Sequence, residues 1–251
     1  MRSPRILWSV NCGISRMSAS QGQITRRNFA ADVYLLTWAS GVLDALCYLR
    51  AGVFTANMTG NTVVLGLAIV GPGRARVWDA ALAILAFAVG ALIGALVLLR
   101  PQRRDARREL KTGVSLELPF AAVFSVLWAF FPEIGPAWLV PALLASGAAA
   151  LGIQSVAARR LKLSGVVTTF ITGTITTAIV SFLERDVPGE RPDREAKSSP
   201  LVLGGMVVLY AAAAMTGAAL TSVARSLAPL AALLPMLAVL VRSFQLSTRA
   251  R

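Results

Sequence analysis

The stretch FTANMTGN, Phe54 to Asn61, packs two threonines, two asparagines and a glycine between long apolar runs. Whether this stretch spans a bilayer or only dips into it decides the fold. Its surroundings are built for lipid. Val77 to Leu99 carries one acid, Asp79, near its start, and Leu201 to Val223 carries no charge. Runs of this length reach the roughly 20 residues that a membrane-crossing helix needs.

Composition points the same way. The 251 residues are 56% hydrophobic and 15% charged, with a mean hydropathy of +0.66. A soluble domain of this size carries more charge and fewer unbroken apolar runs. The chain therefore reads as an all-α polytopic membrane protein. Its net charge of +13 does not imply nucleic acid as a partner, because the basic residues flank apolar runs rather than lining a soluble face. There is no histidine, which removes histidine relays, histidine metal sites and Ser-His or Cys-His pairs. Cys12 and Cys47 form no pattern. No cofactor or metal is expected. The basic stretch 1–31 reads as a disordered tail, within which Met17 offers an alternative start.

Eight apolar segments stand out: 33–50, 54–72, 77–99, 117–131, 137–158, 166–183, 201–223 and 227–241. Their order repeats. Laying Gly41 on Gly152 brings Thr59-Gly60 onto Thr172-Gly173 with a two-residue insertion. Further on, FAVGALIGA from Phe87 matches YAAAAMTGA from Tyr210, so that Gly94 falls on Gly217. Each half reads as a Gly-bearing helix, a Thr-Gly segment, a long helix and a shorter one. The halves are taken as 32–132 and 133–251.

Charge then decides the path of FTANMTGN. If all eight segments span, Lys and Arg divide 14 to 11 between the two faces. If both Thr-Gly segments enter and leave by one face, 21 basic residues lie inside and only Arg50, Arg74, Arg76 and Arg225 lie outside. The second arrangement obeys the positive-inside rule and the first does not. It predicts about six transmembrane helices, two short discontinuous or re-entrant Thr-Gly segments, and two inverted repeats of three spans each, with both termini cytoplasmic. Irregular backbone at membrane depth persists only when buried in protein or lining a wet cavity, and inverted repeats with interrupted segments recur in secondary transporters.

Of the 12 acids, Asp44 alone lies well inside an apolar run; Glu117 falls at a segment end. A carboxylate at mid-membrane costs about 2.5–3.5 kcal/mol on insertion scales, so Asp44 calls for a partner, a proton or water. Ser40, Gly41 and Tyr48 lie a helical turn away, and Asn57 and Asn61 are the expected partners. Two readings stay open: a proton or cation site beside a cavity, or a structural carboxyl tying the first helix to the Thr-Gly segment. If the breaks fall at Thr59-Gly60-Asn61 and Thr172-Gly173-Thr174, two helix N-termini face each other near mid-membrane, which suits an anionic group. The other reading of Gly60 and Gly173 is close helix packing, with the threonines bonding back to their own helices. Gly90 and Gly94 form a GxxxG that suits packing within the fold.

The motif GVLDALCYL followed by GVFTANMTGNTVVLGLA, with the later TTFITGTITTAI, resembles the YoaK-like family of bacterial membrane proteins of unknown function. The similarity runs from about Val33 to Val241. Its strongest part is Gly41, Asp44, Tyr48, Gly52, Phe54, Met58, Thr59, Gly60, Asn61 and Gly66, with Thr172 and Gly173 later. Ala56-Asn57 departs from the small hydroxyl and aromatic expected before Met58. The resemblance implies a six-span inner-membrane protein and supplies no substrate. The function read from the residues is a secondary transporter of a small solute, anionic on the facing-helix reading, coupled to a proton or cation. The alternative is a non-transporting membrane assembly or sensing protein. An enzyme is not expected, since Asp44 and isolated hydroxyls form no catalytic group.

Overall fold

The computed structural model describes residues 30–71, 74–99, 106–133, 135–160 and 200–248, together with Ile175, Thr176, Ile179, Val180 and Phe182. Among the described residues the protein is helical, with no strand. The helices are α1 (Ala30–Ala51), α2 (Met58–Val70), α3 (Arg74–Leu98), α4 (Ala106–Phe130), α5 (Leu139–Arg160), α6 (Pro200–Val223) and α7 (Leu230–Thr248), with a 3-10 turn at Arg225–Leu227 before α7. Six of them are long and apolar enough to cross a bilayer; α2 is the short one. Residues 1–29 of the tail and Thr172, Gly173 and Thr174 lie outside the described residues, while Ala30 and Ala31, read as tail, begin α1.

At α2 the chain breaks as a helix. Gly52 adopts φ +72, a left-handed conformation open mainly to glycine, and its N–H bonds the Tyr48 carbonyl at 2.8 Å to close α1. Residues 52–57 are not helical. Asn57 then caps α2, its side-chain oxygen accepting from Gly60 N at 3.1 Å. The 13 residues of α2 extend about 20 Å, short of a hydrocarbon core about 30 Å thick. The break thus precedes Thr59-Gly60, which form the first turn of α2 instead of the interruption itself. Gly60 earns its place through packing, since a Cβ there would come within 3.1 Å of the Phe54 ring.

Residue pairings set the helix directions. Tyr34 meets Gly205, Gly41 meets Ala213 and Val42 meets Gly217, so α1 and α6 run parallel. Gly90 meets Ala149 and Gly94 meets Ile153, so α3 and α5 run parallel. In the antiparallel pairs, Gly113 meets Ala157 and Gly147 meets Phe124 between α4 and α5. Lys111 meets Phe244 and Trp128 meets Arg225 between α4 and the α7 arm. Asp32 meets Arg242 and Trp38 meets Ala231 between α1 and α7. Helices α1, α4 and α6 therefore point one way, and α3, α5 and α7 the other. Since α1 and α3 are opposed, the end of α1 and the start of α3 lie on one face, and the described residues 52–71 return the chain to that face. Eight spans would make α4 and α7 parallel, which these pairings exclude.

The glycines let α1 and α5, the two most enclosed helices, approach their neighbours backbone to backbone. A Cβ on Gly41 would lie 2.6 Å from the Tyr210 carbonyl oxygen and 3.4 Å from Ala214 N. A Cβ on Gly152 would collide with the Phe87 carbonyl oxygen and lie 2.8 Å from Ala91 N. These are matched positions in the internal alignment, as are the pairs Gly217–Val42 and Gly94–Ile153. The first helix of each half thus packs on the long helix of the other half. In α7, Pro235 has no N–H for the Ala231 carbonyl, and the Trp38 indole N–H takes that acceptor at 3.0 Å.

One boundary differs from the sequence expectation. The apolar segment begins at 117, whereas α4 begins at Ala106. Ala106, Arg107, Arg108, Glu109, Leu110 and Lys111 are good helix formers, so the helix continues beyond the part that hydropathy marks.

Candidate functional site

Beyond Gly52 the chain turns back along α1 and sets Thr55 and Ala56 beside Asp44, two turns before the end of that helix. Asp44 Oδ1 accepts from Thr55 N at 2.7 Å, Thr55 Oγ1 at 2.8 Å and Ala56 N at 2.7 Å. Oδ2 accepts from the Tyr210 hydroxyl on α6. Asp44 is 2% exposed. Four donors converge on it, two of them backbone N–H groups that a break in a helix would otherwise leave without partners. A buried charge satisfied in this way needs no counter-cation.

Asn61 holds the other side of the break. Its Oδ1 accepts from Phe54 N and its Nδ2 donates to Phe54 O, both at 2.7 Å. The side chain is fully buried, and it completes the backbone pairing of an irregular stretch. The opening at Gly147 of α5 receives Thr55, because a Cβ there would lie 2.9 Å from Thr55 Cγ2 and 3.2 Å from the Phe124 ring. At the rim, Tyr48 stacks on Phe54 with centroids 4.8 Å apart. The Arg50 guanidinium donates to the Phe131 and Pro132 carbonyls at 3.1 and 2.9 Å and lies over Trp128, tying the ends of α1 and α4 together.

The residues singled out in the sequence separate into two sets. Asp44, Asn57, Gly60 and Asn61 act together to shape the break. Asn57 and Asn61 are not the partners of Asp44, however: Asn57 caps α2 and Asn61 binds Phe54. Tyr48 is half exposed, and Thr59 faces outward. Among the described residues no group of three His, Cys, Asp or Glu is placed to hold a metal.

Three participants escaped the sequence reading. Tyr210 lies 166 residues from Asp44, beyond any local pattern. Gly147 shows no motif. Glu117, placed at a segment end by hydropathy, stands in the middle of α4, 0% exposed, with neither carboxyl oxygen hydrogen-bonded among the described residues. Its helical spacing was the available signal: Leu110, Val114, Glu117, Ala121, Phe124 and Trp128 form one buried stripe.

Residues 33–241 match the family described as "Protein of unknown function (DUF1275)". The chain belongs to this family. It is also similar to the UPF0700 transmembrane protein YoaK of Bacillus subtilis (strain 168), at 33% identity over 142 residues. That stretch covers 56% of this chain and 61% of the relative. No solved structure matches. With the six apolar helices, the family places the chain among multi-pass membrane proteins of the YoaK-like kind.

Proposed function

We propose that this DUF1275 protein is a secondary transporter of a small, anionic solute across the bacterial inner membrane, with both termini cytoplasmic. The observation that carries the reading is the break at 52–57, held at the depth of Asp44 between α1, α5 and α6. Broken segments at such depth are where transporters place their ligands.

The reading takes residues 32–132 and 133–251 as inverted repeats. Its support is that α1, α3 and α4 run opposite, in order, to α5, α6 and α7. The matched contacts Gly41–Tyr210 and Gly152–Phe87 support it further. The solute would lie between the start of α2, at Asn57, Thr59 and Gly60, and the matched segment Thr172, Gly173 and Thr174. A proton or cation would be coupled to its passage.

A second reading, a membrane assembly or sensing protein, is favoured by the saturation of Asp44. A carboxyl that is 2% exposed and already accepts from four donors is suited to pinning a break. Uptake of labelled small carboxylate, phosphate and sulfate anions into proteoliposomes separates the two. Uptake of one of them, abolished by Thr59→Val with Gly60→Ala while the protein stays folded, supports transport. No uptake of any of them, with correctly inserted protein, favours the second reading.

A further inference from the structure

We propose that Glu117 is an exchangeable proton site in the interior of the membrane domain. The stripe on which it stands is otherwise apolar, and it faces the α5 and α7 side of α4. The Gly113–Ala157 and Phe124–Gly147 pairings put Glu117 opposite the α5 turn that carries Gln154. The Gln154 amide nitrogen donates to Ser40 Oγ at 2.8 Å and Leu36 O at 3.2 Å of α1.

Both Glu117 oxygens are enclosed and unbonded among the described residues. A carboxylate left so would be an uncompensated buried charge, whereas the neutral acid loses far less on leaving water. The occupant that this enclosure admits is a proton, because a metal cation brings a coordination shell that needs several oxygen ligands.

Among the described residues, no charge on the neighbouring helices stands at the level of Glu117. Residues 80–98 of α3, 146–158 of α5 and 230–241 of α7 carry no ionisable group. On α4 itself, Glu109 and Lys111 lie about two turns nearer the N-terminus, with the Lys111 ammonium over the Phe244 ring. Arg159 closes α5 at that same end, and Arg242 of α7 is paired with Asp32 of α1. Asp44 of α1 is held by its own four donors.

The same stretch of α4 carries a weak point in its hydrogen-bond ladder. Pro119, two residues on, cannot bond the Ser115 carbonyl and weakens the helix there. Pro119, Phe120 and Val123 also line an open, largely apolar groove of about 370 Å³ against Ala142, Ala145 and Ser146 of α5, so the α4–α5 seam beside Glu117 is incompletely packed. When the α4–α5 seam opens to water, the Glu117 O–H bond breaks. The electron pair stays on the carboxylate and the proton passes to water; closure requires its return. The site exists whether or not a solute crosses, so the test needs no solute.

Infrared spectra of the full chain in lipid vesicles, compared with Glu117→Gln and Asp44→Asn, give the readout. At neutral pH the wild type shows a protonated-carboxyl C=O band that is lost in Glu117→Gln and kept in Asp44→Asn. As the pH is raised and restored, the band falls and returns. The proposal is overturned by a wild type without the band, by a band that survives Glu117→Gln, or by one that vanishes in Asp44→Asn instead. A band that does not respond to pH until the protein unfolds also overturns it, since that marks a fixed structural acid. If Glu117→Gln does not fold, Glu117→Asp serves: the band shifts if the site is Glu117, and an unshifted band overturns the proposal.

Discussion

The Tyr210 hydroxyl on α6 donates to Oδ2 of Asp44 on α1, while Oδ1 of the same carboxyl holds Thr55 and Ala56. One side chain thus joins the two parallel helices to the break between α1 and α2. Removing the phenolic hydroxyl should loosen the site without dismantling it, since three donors remain. Tyr210→Phe is expected to lower stability by about 1.5–3 kcal/mol, the range for a hydrogen bond to a charged group. Asp44→Ala should cost more, because it strands the Thr55 and Ala56 N–H groups in the interior. Thermal unfolding in detergent, followed by size-exclusion chromatography, ranks the two; an equal loss from both would mean that the break does not depend on the carboxyl.

Close approach through glycine makes a second, graded prediction. Gly152→Ala and Gly90→Ala drive a methyl group into the backbone of Phe87 and Ala149, and Gly41→Ala drives one into that of Tyr210. Rigid helix backbone cannot yield cheaply, so each should reduce the yield of folded protein. Gly66→Ala meets nothing within 4 Å and lies inside α2, where it should stabilise by about 0.5–1 kcal/mol. Expression as a fluorescent fusion, read by size-exclusion profile, separates the two classes.

Pro235 and Trp38 should be energetically coupled. The indole N–H occupies the Ala231 carbonyl that Pro235 leaves vacant. Trp38→Phe is expected to cost about 1–3 kcal/mol in the native background, from the unsatisfied buried carbonyl. In a Pro235→Ala background an amide can fill that role, and the cost should fall. A double-mutant cycle in chemical denaturant measures the difference; strict additivity would contradict it.

Topology is open to direct labelling. Single cysteines replacing Ala75, Ala106 and Glu190, in a background lacking Cys12 and Cys47, should react from the outside, inside and inside respectively. Labelling of position 106 from the outside would remove the orientation on which the inverted-repeat reading depends.

Much of this architecture was legible because membrane folds obey strong local rules. Hydropathy and length marked the spans, and the positive-inside count chose six over eight. The residue pairings of α1 with α6 and α4 with α7 lead to the same directions independently. The MTGN motif marked the interruption, though placed a few residues late. Hydrogen bonding to Asp44 moved the break to 52–57, and Asn57 allowed a helix to start at Met58.

By itself, then, the sequence determined what each segment must do with lipid: cross it, dip into it or stay out. These are properties of continuous stretches of chain. Tertiary structure decided which polar groups satisfy one another, because that depends on residues far apart in sequence. Asp44 could be read as a lone buried acid, but only the packing of α6 against α1 supplies Tyr210. Glu117 was hidden for the opposite reason. A hydropathy window averages around the helix and pools a buried face with an exposed one, so an acid inside the core stripe of α4 looked like the edge of a loop. Neighbouring helices, not neighbouring residues, removed its water and left its oxygens without donors among the described residues.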